Sequence, residues 1–119
     1  MLKRHRLGEL GEALAAAHLE SNGYSVVDRR FACVRGDIDL VCRRADEVVL
    51  VEVKTRATAA FGEGAETISE SKRMNLKACA REYRAMTGWR GQVKFMLASV
   101  RLTYGAQEGT VELDLGALD

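Results

Sequence analysis

The chain has 119 residues, of which 47% are hydrophobic and 29% are charged, so it contains enough apolar side chains to form one core. This balance excludes a largely disordered chain. No run approaches the roughly 18 apolar residues that predict a membrane span. We therefore expect a single domain over residues 1–119 that is not associated with a membrane.

The cysteines are three in number, Cys33, Cys42 and Cys79, and no two of them form a C-x-x-C pair. An odd number at wide spacing favours free thiols in a reducing cytoplasm over a disulfide framework or a zinc site. The basic residues at positions 3–6 are followed by no apolar stretch, so they do not predict a secretory signal. We expect a cytoplasmic protein.

Positive charge is concentrated in the second half of the chain. The segment 72–101 contains eight basic residues and one acid, Glu82, whereas the net charge of the whole chain is only +1. Such a basic region suggests a surface that faces a polyanion. A solvated helix face would explain the same pattern.

The first predicted element is a helix over 7–21, because Leu7, Leu10 and Leu14 recur at helical spacing. The pair at positions 22–23, Asn-Gly, ends it, since either residue can adopt the left-handed cap conformation. A strand over 24–31 follows.

Two further strands are predicted over 37–43 and 48–56, joined by a turn over 44–47. The first alternates, with Ile38 and Leu40 on one face and the acids on the other. The second is rich in β-branched valines, which favour strands. These two strands form a predicted hairpin.

The register of this hairpin follows if Ala45 and Asp46 form its tip. Asp39 then falls directly opposite Glu52. On the other face, apolar residues oppose apolar residues, and the pairs are Ile38 with Val53 and Leu40 with Val51. A slip of two residues would keep the same faces and is a second solution.

The remaining elements begin with a loop over 57–67. A helix capped by Ser69 or Ser71 then runs to about residue 87. One face of this helix is apolar, and another carries a basic stripe, Arg73, Lys77, Arg81 and Arg84.

Strands over 92–103 and 110–115 complete the chain. The order is helix, three strands, helix, two strands. This order predicts an α/β fold with a single mixed β-sheet of about five strands flanked by two main helices.

The opposed acids of the hairpin suggest a metal site. Directly opposed side chains have Cβ atoms about 5 Å apart, so Asp39 and Glu52 would repel each other unless a cation neutralised them. Mg²⁺ or Mn²⁺ would serve, with the backbone carbonyl of Val53 as a further ligand. Lys54, on the same face, could stabilise charge that develops on a phosphate. For the E-x-K tripeptide alone, a solvated strand face is the alternative.

The segments 36–41 (GDIDLV) and 51–56 (VEVKTR) resemble the PD-(D/E)XK nuclease signature. More narrowly, they are similar to the YraN-like family of small bacterial endonucleases, which is related to archaeal Holliday junction resolvases. The segments 8–12 and 22–24 also match that family. The resemblance spans residues 7–95.

The resemblance implies a restriction-endonuclease-like core and a set of roles. It implies that Asp39 and Glu52 bind the metal, that Lys54 is the catalytic lysine, and that Glu12 is an accessory acid. Glu12 rests on the resemblance alone, because helical periodicity places it nearly opposite the leucine stripe and predicts that it is exposed.

The leading hypothesis is a Mg²⁺- or Mn²⁺-dependent endonuclease that acts on DNA, with branched or structured DNA as one substrate class. Phosphate contacts are expected from six basic residues, Arg56, Lys72, Arg73, Lys77, Arg81 and Arg84. A large, symmetric substrate would favour a homodimer. One alternative is a nucleic-acid-binding protein whose nuclease site is vestigial or depends on a partner, and another is an adaptor domain with a solvated acidic face.

Overall fold

A computed structural model describes residues 4–58, 68–103 and 109–115. Its elements in chain order are α1 (Arg4–Ser21), β1 (Ser25–Cys33), β2 (Gly36–Arg44), β3 (Glu47–Thr58), α2 (Glu70–Thr87), β4 (Gln92–Thr103) and β5 (Gly109–Leu115). The predicted order of elements is confirmed. The predicted loop over 57–67 lies outside the described residues, except that β3 continues through Thr58.

The five strands form one mixed sheet in the order β1-β2-β3-β4-β5. Neighbouring strands are antiparallel apart from β3 and β4, which run parallel and are connected through α2. The two helices cover opposite faces of this sheet. The predicted fold class is therefore confirmed.

Both faces of the central strand β3 are buried, and its side chains alternate between the two helices. Val49 and Val51 belong to the apolar cluster beneath α1, whereas Val48 and Leu50 belong to the cluster beneath α2. A strand covered on both faces needs this nearly continuous apolar sequence. Glu52 follows Val48 and Leu50 on the side of β3 that faces α2, at the place where the apolar cluster beneath α2 ends.

Helix α1 lies against β3 at Gly11. A Cβ atom at Gly11 would overlap the side chain of Thr55, so only glycine permits this approach. Nothing lies within 4 Å of the equivalent position at Gly8, one turn earlier in the same helix. The contact at Gly11 therefore sets where the following residue, Glu12, meets the sheet.

Helix α2 begins and ends at well-defined caps. The hydroxyl of Ser69 accepts a hydrogen bond from the Lys72 backbone N–H at 3.1 Å, which confirms Ser69 as one of the two predicted caps. At the other end, Gly88 has a φ of 74° and donates to the Arg84 carbonyl at 2.9 Å. The first cap fixes the backbone of Lys72 over the sheet.

An irregularity crosses β1 and β2 at Arg30 and Asp39, which are not paired although the residues on either side of them are. Arg30 has a φ of 54°. Ile38 belongs to the α2-side cluster and Leu40 to the α1-side cluster, so the prediction that they share a face was wrong. The alternation of side chains along β2 therefore breaks at Asp39, opposite the left-handed Arg30 of β1, and the pattern of residue types does not reveal this break.

The tip of the hairpin agrees with the predicted register. Arg44 pairs with Glu47, which leaves Ala45 and Asp46 as the two-residue turn. Ala45 has a φ of 56°, a conformation that favours glycine in turns of this kind. The first of the two predicted registers is therefore the one the structure contains.

The cysteine prediction was wrong for two of the three residues. Cys33 at the end of β1 and Cys79 in α2 form a disulfide, whereas Cys42 is a buried free thiol. The pair is separated by 46 residues in sequence, and the packing of α2 brings the two Cα atoms to 5.6 Å. Sequence spacing carries no signal for such a contact.

Neither described helix is long and apolar enough to cross a lipid bilayer.

Candidate active site

The candidate site lies where the ladder between β2 and β3 stops. The last paired residues are Leu40 and Val51, so Asp39 and Glu52 are not a ladder pair, as the predicted register had required. Instead, Oδ2 of Asp39 accepts the Val53 backbone N–H at 2.7 Å. That donor would bond to β2 if the ladder continued, so the Asp39 carboxylate takes the place of a strand carbonyl.

The carboxyl groups of Asp39 and Glu52 are nevertheless close enough for the negative charge of one to act on the other. Burial, and then the negative charge of Asp39, raise the pKa of Glu52 from 4.5 to about 7. The pKa of Asp39 is also raised, mainly by burial, although the hydrogen bond from Val53 opposes the change. The structure thus holds two carboxyl groups in an unfavourable position.

Two lysines approach Glu52, one for each carboxylate oxygen. Nζ of Lys54 lies 3.9 Å from Oε2, and Nζ of Lys72 lies 3.4 Å from Oε1. Only 7% of the Glu52 side chain is exposed, and it is the one charged residue classed as buried in the described part of the chain. Both ammonium groups lower the pKa of Glu52, Lys72 by more than Lys54.

Glu12 of α1 lies close enough to Asp39 for their charges to interact. Its Oε1 lies 3.4 Å from Nε of Arg30, and its side chain is only 18% exposed. Burial, followed by the charge of Asp39, raises the pKa of Glu12. The exposure expected from helical periodicity was therefore wrong, because the close packing of the preceding residue, Gly11, places Glu12 over the sheet.

The remaining basic residues are spread more widely. Arg73 pairs with Glu70 in the first turn of α2 at 3.7 Å, whereas Arg84 donates to the carbonyls of Trp89 and Gly91 and so anchors the connection to β4. The other three predicted phosphate contacts are exposed, and they are Arg56, Lys77 and Arg81. Arg84 is thus engaged in local structure.

Lys72 is the residue whose placement sequence reasoning missed. It had been grouped with the phosphate-binding residues, but its side chain turns to the sheet and contacts Glu52. A signal was present, because Lys72 lies four residues before Leu76, on the same helical face as the buried residues Cys79 and Tyr83. Continuing that stripe by one turn predicts that Lys72 faces the sheet.

The oxygen atoms present fit a hard divalent cation. In the described part of the chain, no three acidic, histidine or cysteine side chains converge as a metal site, so Asp39 and Glu52 would be the carboxylate ligands. The N–H and C=O of a strand residue point to the same side, so the carbonyl of Val53 lies beside Asp39 where the ladder has opened. Mg²⁺ commonly binds through one or two carboxylates completed by water and phosphate oxygens.

Comparison with known proteins identifies the family. The family model described as "Uncharacterised protein family UPF0102" matches residues 11–102, a segment that contains every acidic and basic residue of the candidate site. A UPF0102 protein from Moorella thermoacetica is 35% identical over 117 residues, which cover 98% of each chain.

Two further relatives are similar over most of their length. A UPF0102 protein from Clavibacter michiganensis subsp. michiganensis is 38% identical over 108 residues, covering 90% of this chain and 92% of the relative. Another from Chloroflexus aurantiacus is 43% identical over 93 residues, covering 73% and 75%. The chain therefore belongs to the UPF0102 family, which is the YraN-like family that its strand motifs resemble.

Proposed function

We propose that this protein is a divalent-metal-dependent endonuclease that hydrolyses DNA phosphodiester bonds. The observation that supports it best is the closeness of the buried Glu52 carboxyl group to that of Asp39, at the point where the hairpin ladder opens. Burying two carboxyl groups side by side costs stability unless a cation or a proton compensates. Lys54 beside them supplies the third group that phosphodiester hydrolysis needs.

The residues of the chain divide the work as follows. Asp39 is held through one oxygen by the Val53 N–H, which leaves the other oxygen to bind a cation together with Glu52 and the Val53 carbonyl. Bound Mg²⁺ or Mn²⁺ lowers the pKa of a coordinated water and polarises the phosphate. Lys54, on the same strand as Glu52, stabilises the negative charge that develops on the phosphate oxygens.

Glu12 is proposed as an accessory acid. Its carboxylate is restrained by Arg30 and interacts with Asp39 across the opening in the sheet. A third negative charge at this place favours binding of a cation between Asp39 and Glu52. Its role is electrostatic, since its nearest charged partner is the guanidinium of Arg30.

The proposed substrate is DNA recognised by shape. Exposed Arg56, Lys77 and Arg81 would contact phosphates, and phosphate contacts position DNA without reading its sequence. Branched or structured DNA is the class that such recognition would select. A homodimer would suit a four-way junction, because two-fold symmetry would present two sites to two strands.

A second candidate has one observation in its favour. Both oxygens of Glu52 already face lysine ammonium groups, so the site is partly neutralised by the chain itself. A nucleic-acid-binding protein whose nuclease site is vestigial or partner-dependent would have the same arrangement. This candidate differs in outcome, because it binds DNA and does not cleave it.

The test compares two lysines of the sheet whose side chains are exposed to a similar extent. Lys54 and Lys94 are 44% and 41% exposed, and each pairs with a glutamate of β3. Supercoiled, single-stranded, flap and four-way DNA would be incubated with the purified protein in Mg²⁺, Mn²⁺ or EDTA. We expect Lys54→Met to reduce metal-dependent cleavage by on the order of 100-fold or more, and Lys94→Met to leave it nearly unchanged.

Cleavage that persists in Lys54→Met, or in EDTA, would contradict the proposal. DNA binding without cleavage of any of these substrates would support the second candidate.

A further inference from the structure

The two lysines at Glu52 reach it from different elements. Lys54 lies on the same strand as Glu52, whereas Lys72 reaches the carboxylate of Glu52 from the first turn of α2. Nζ of Lys72 is also the nearer of the two, at 3.4 Å from Oε1 against 3.9 Å from Oε2 for Lys54. The Lys72 ammonium is therefore the nearer positive charge to the Glu52 carboxylate, which the proposed function takes as a metal ligand.

A divalent cation that binds Asp39 and Glu52 has to approach the carboxylates beside these two ammonium groups. When both acids are ionised, the two lysines already balance their charge, so an added divalent ion meets repulsion from the ammonium groups as well as attraction. Moving one ammonium away removes part of that repulsion. Lys72 is the nearer of the two to Glu52, so its departure removes the larger share.

The side chain of Lys72 is able to move its ammonium away from Glu52. Its backbone is fixed by the Ser69 cap, but its ammonium stands on a flexible four-carbon chain and its side chain is 36% exposed. Rotation about the bonds of that chain would carry the ammonium from Glu52 towards solvent.

We propose that Lys72 is a displaceable counterion, which pairs with Glu52 in the metal-free protein and transfers to the DNA phosphate when Mg²⁺ or Mn²⁺ binds. The inference rests on the proposed function, because it takes Glu52 as a metal ligand. It makes Lys72 a positioning residue that couples metal binding to DNA binding, and such coupling is reciprocal by thermodynamic necessity.

The first test is calorimetric titration with Mn²⁺ in the absence of DNA. We expect Lys72→Met to bind Mn²⁺ about ten-fold more tightly than the unmodified protein, because the competing ammonium is gone. Lys77→Met is the matched control, a lysine of the same helix with an exposed side chain, and its Mn²⁺ affinity should be unchanged. Lys72→Arg keeps a positive charge, so its Mn²⁺ affinity should equal that of the unmodified protein. That result would show that the tighter binding of Lys72→Met depends on charge.

The second test measures DNA binding in EDTA by fluorescence anisotropy with a labelled four-way DNA. Glu52 retains Lys72 when no metal is present, so Lys72→Met should bind within about two-fold of the unmodified protein. A loss of ten-fold or more would mean that Lys72 contacts DNA without a metal, and it would overturn the inference.

The outcomes separate this inference from the proposed function. Equal or weaker Mn²⁺ binding by Lys72→Met would overturn the inference and leave the nuclease proposal intact. If neither the unmodified protein nor Lys72→Met binds Mn²⁺, the inference and the nuclease proposal are both wrong.

Discussion

The two ends of the β2–β3 hairpin differ in how well their charged side chains are paired. At the tip, Glu47 pairs with Lys94 at 2.7 Å, and the guanidinium of Arg43 stacks over the ring of Trp89 at 4.4 Å. At the open end, Glu52 is buried against another carboxyl group and its pKa is raised to about 7. The same two strands therefore hold charges with suitable partners at one end and poorly compensated charges at the other.

This difference separates structural charges from candidate functional ones. Solvent screens exposed ion pairs such as Glu47–Lys94, so this pair stabilises the tip only slightly. Glu52 destabilises the metal-free fold, since its charged form is disfavoured by burial and by Asp39. A position that costs stability in this way is where a function is expected.

The largest expected effect on DNA cleavage comes from replacing one of the two glutamates of β3 with glutamine. Glu52→Gln should reduce Mn²⁺-dependent DNA cleavage by on the order of 100- to 1000-fold, because the amide cannot replace a carboxylate ligand. Glu47→Gln, on the same strand at the tip, should change the cleavage rate by less than about three-fold. Single-turnover cleavage assays measure both, and similar losses in the two variants would remove the distinction between the ends.

The next effect is a pH dependence of stability in EDTA. The folded-state pKa of Glu52, about 7, lies above its ordinary value of 4.5, so between these pH values the folded protein holds a proton that the unfolded chain has released. The resulting stabilisation is fully present below pH 4.5 and is lost as the pH rises to about 7. It amounts to no more than about 3 kcal/mol.

Urea denaturation of the unmodified protein and of Glu52→Gln over this pH range isolates the contribution of Glu52. The free energy of unfolding of Glu52→Gln should exceed that of the unmodified protein at neutral pH, and the difference should vanish on the acid side. A difference that does not vary with pH would contradict the raised pKa.

A smaller effect is expected where α1 meets the open end of the hairpin. Gly11→Ala should lower the free energy of unfolding by about 2 kcal/mol, because the new methyl group overlaps Thr55. It should also weaken Mn²⁺ binding by moving Glu12. Gly8→Ala, in open space on the same helix, should raise stability by about 0.5–1 kcal/mol, and chemical denaturation distinguishes the two signs.

The smallest expected effect is at the tip. Ala45→Gly should raise the free energy of unfolding by about 1 kcal/mol, since Ala45 has a φ of 56° and glycine accepts that conformation without strain. DNA cleavage should not change. Asp46→Gly, at the neighbouring turn position, should not raise the thermal denaturation temperature. An equal rise in both variants would show that turn flexibility, and not the conformation of Ala45, is responsible.

Much of the fold could be predicted because its signals are local. Alternation of valines marked β3, Ser69 marked the start of α2, and the two-residue turn at Ala45 and Asp46 set the hairpin register. Each of these depends on residues that are near one another in sequence. Asp39, Glu52 and Lys54 could be named for the same reason, since two adjacent strands carry them.

Other features depended on backbone geometry or on distant packing. The exchange of faces between Ile38 and Leu40 occurs opposite Arg30 of β1, whose left-handed conformation its residue type does not require. The disulfide between Cys33 and Cys79 depends on where α2 settles against β1. Residue patterns along the chain do not encode either one.

The sequence by itself determined the hairpin, the register from its tip to Leu40 and Val51, and the three candidate residues that its two strands carry. Only the tertiary structure decided how those residues are surrounded, because the helices that deliver Glu12 and Lys72 are far from the hairpin in sequence. The packing of Gly11 on Thr55 brings one acid to Asp39, and the start of α2 brings one ammonium to Glu52. The charge balance of the site is therefore a property of the assembled fold.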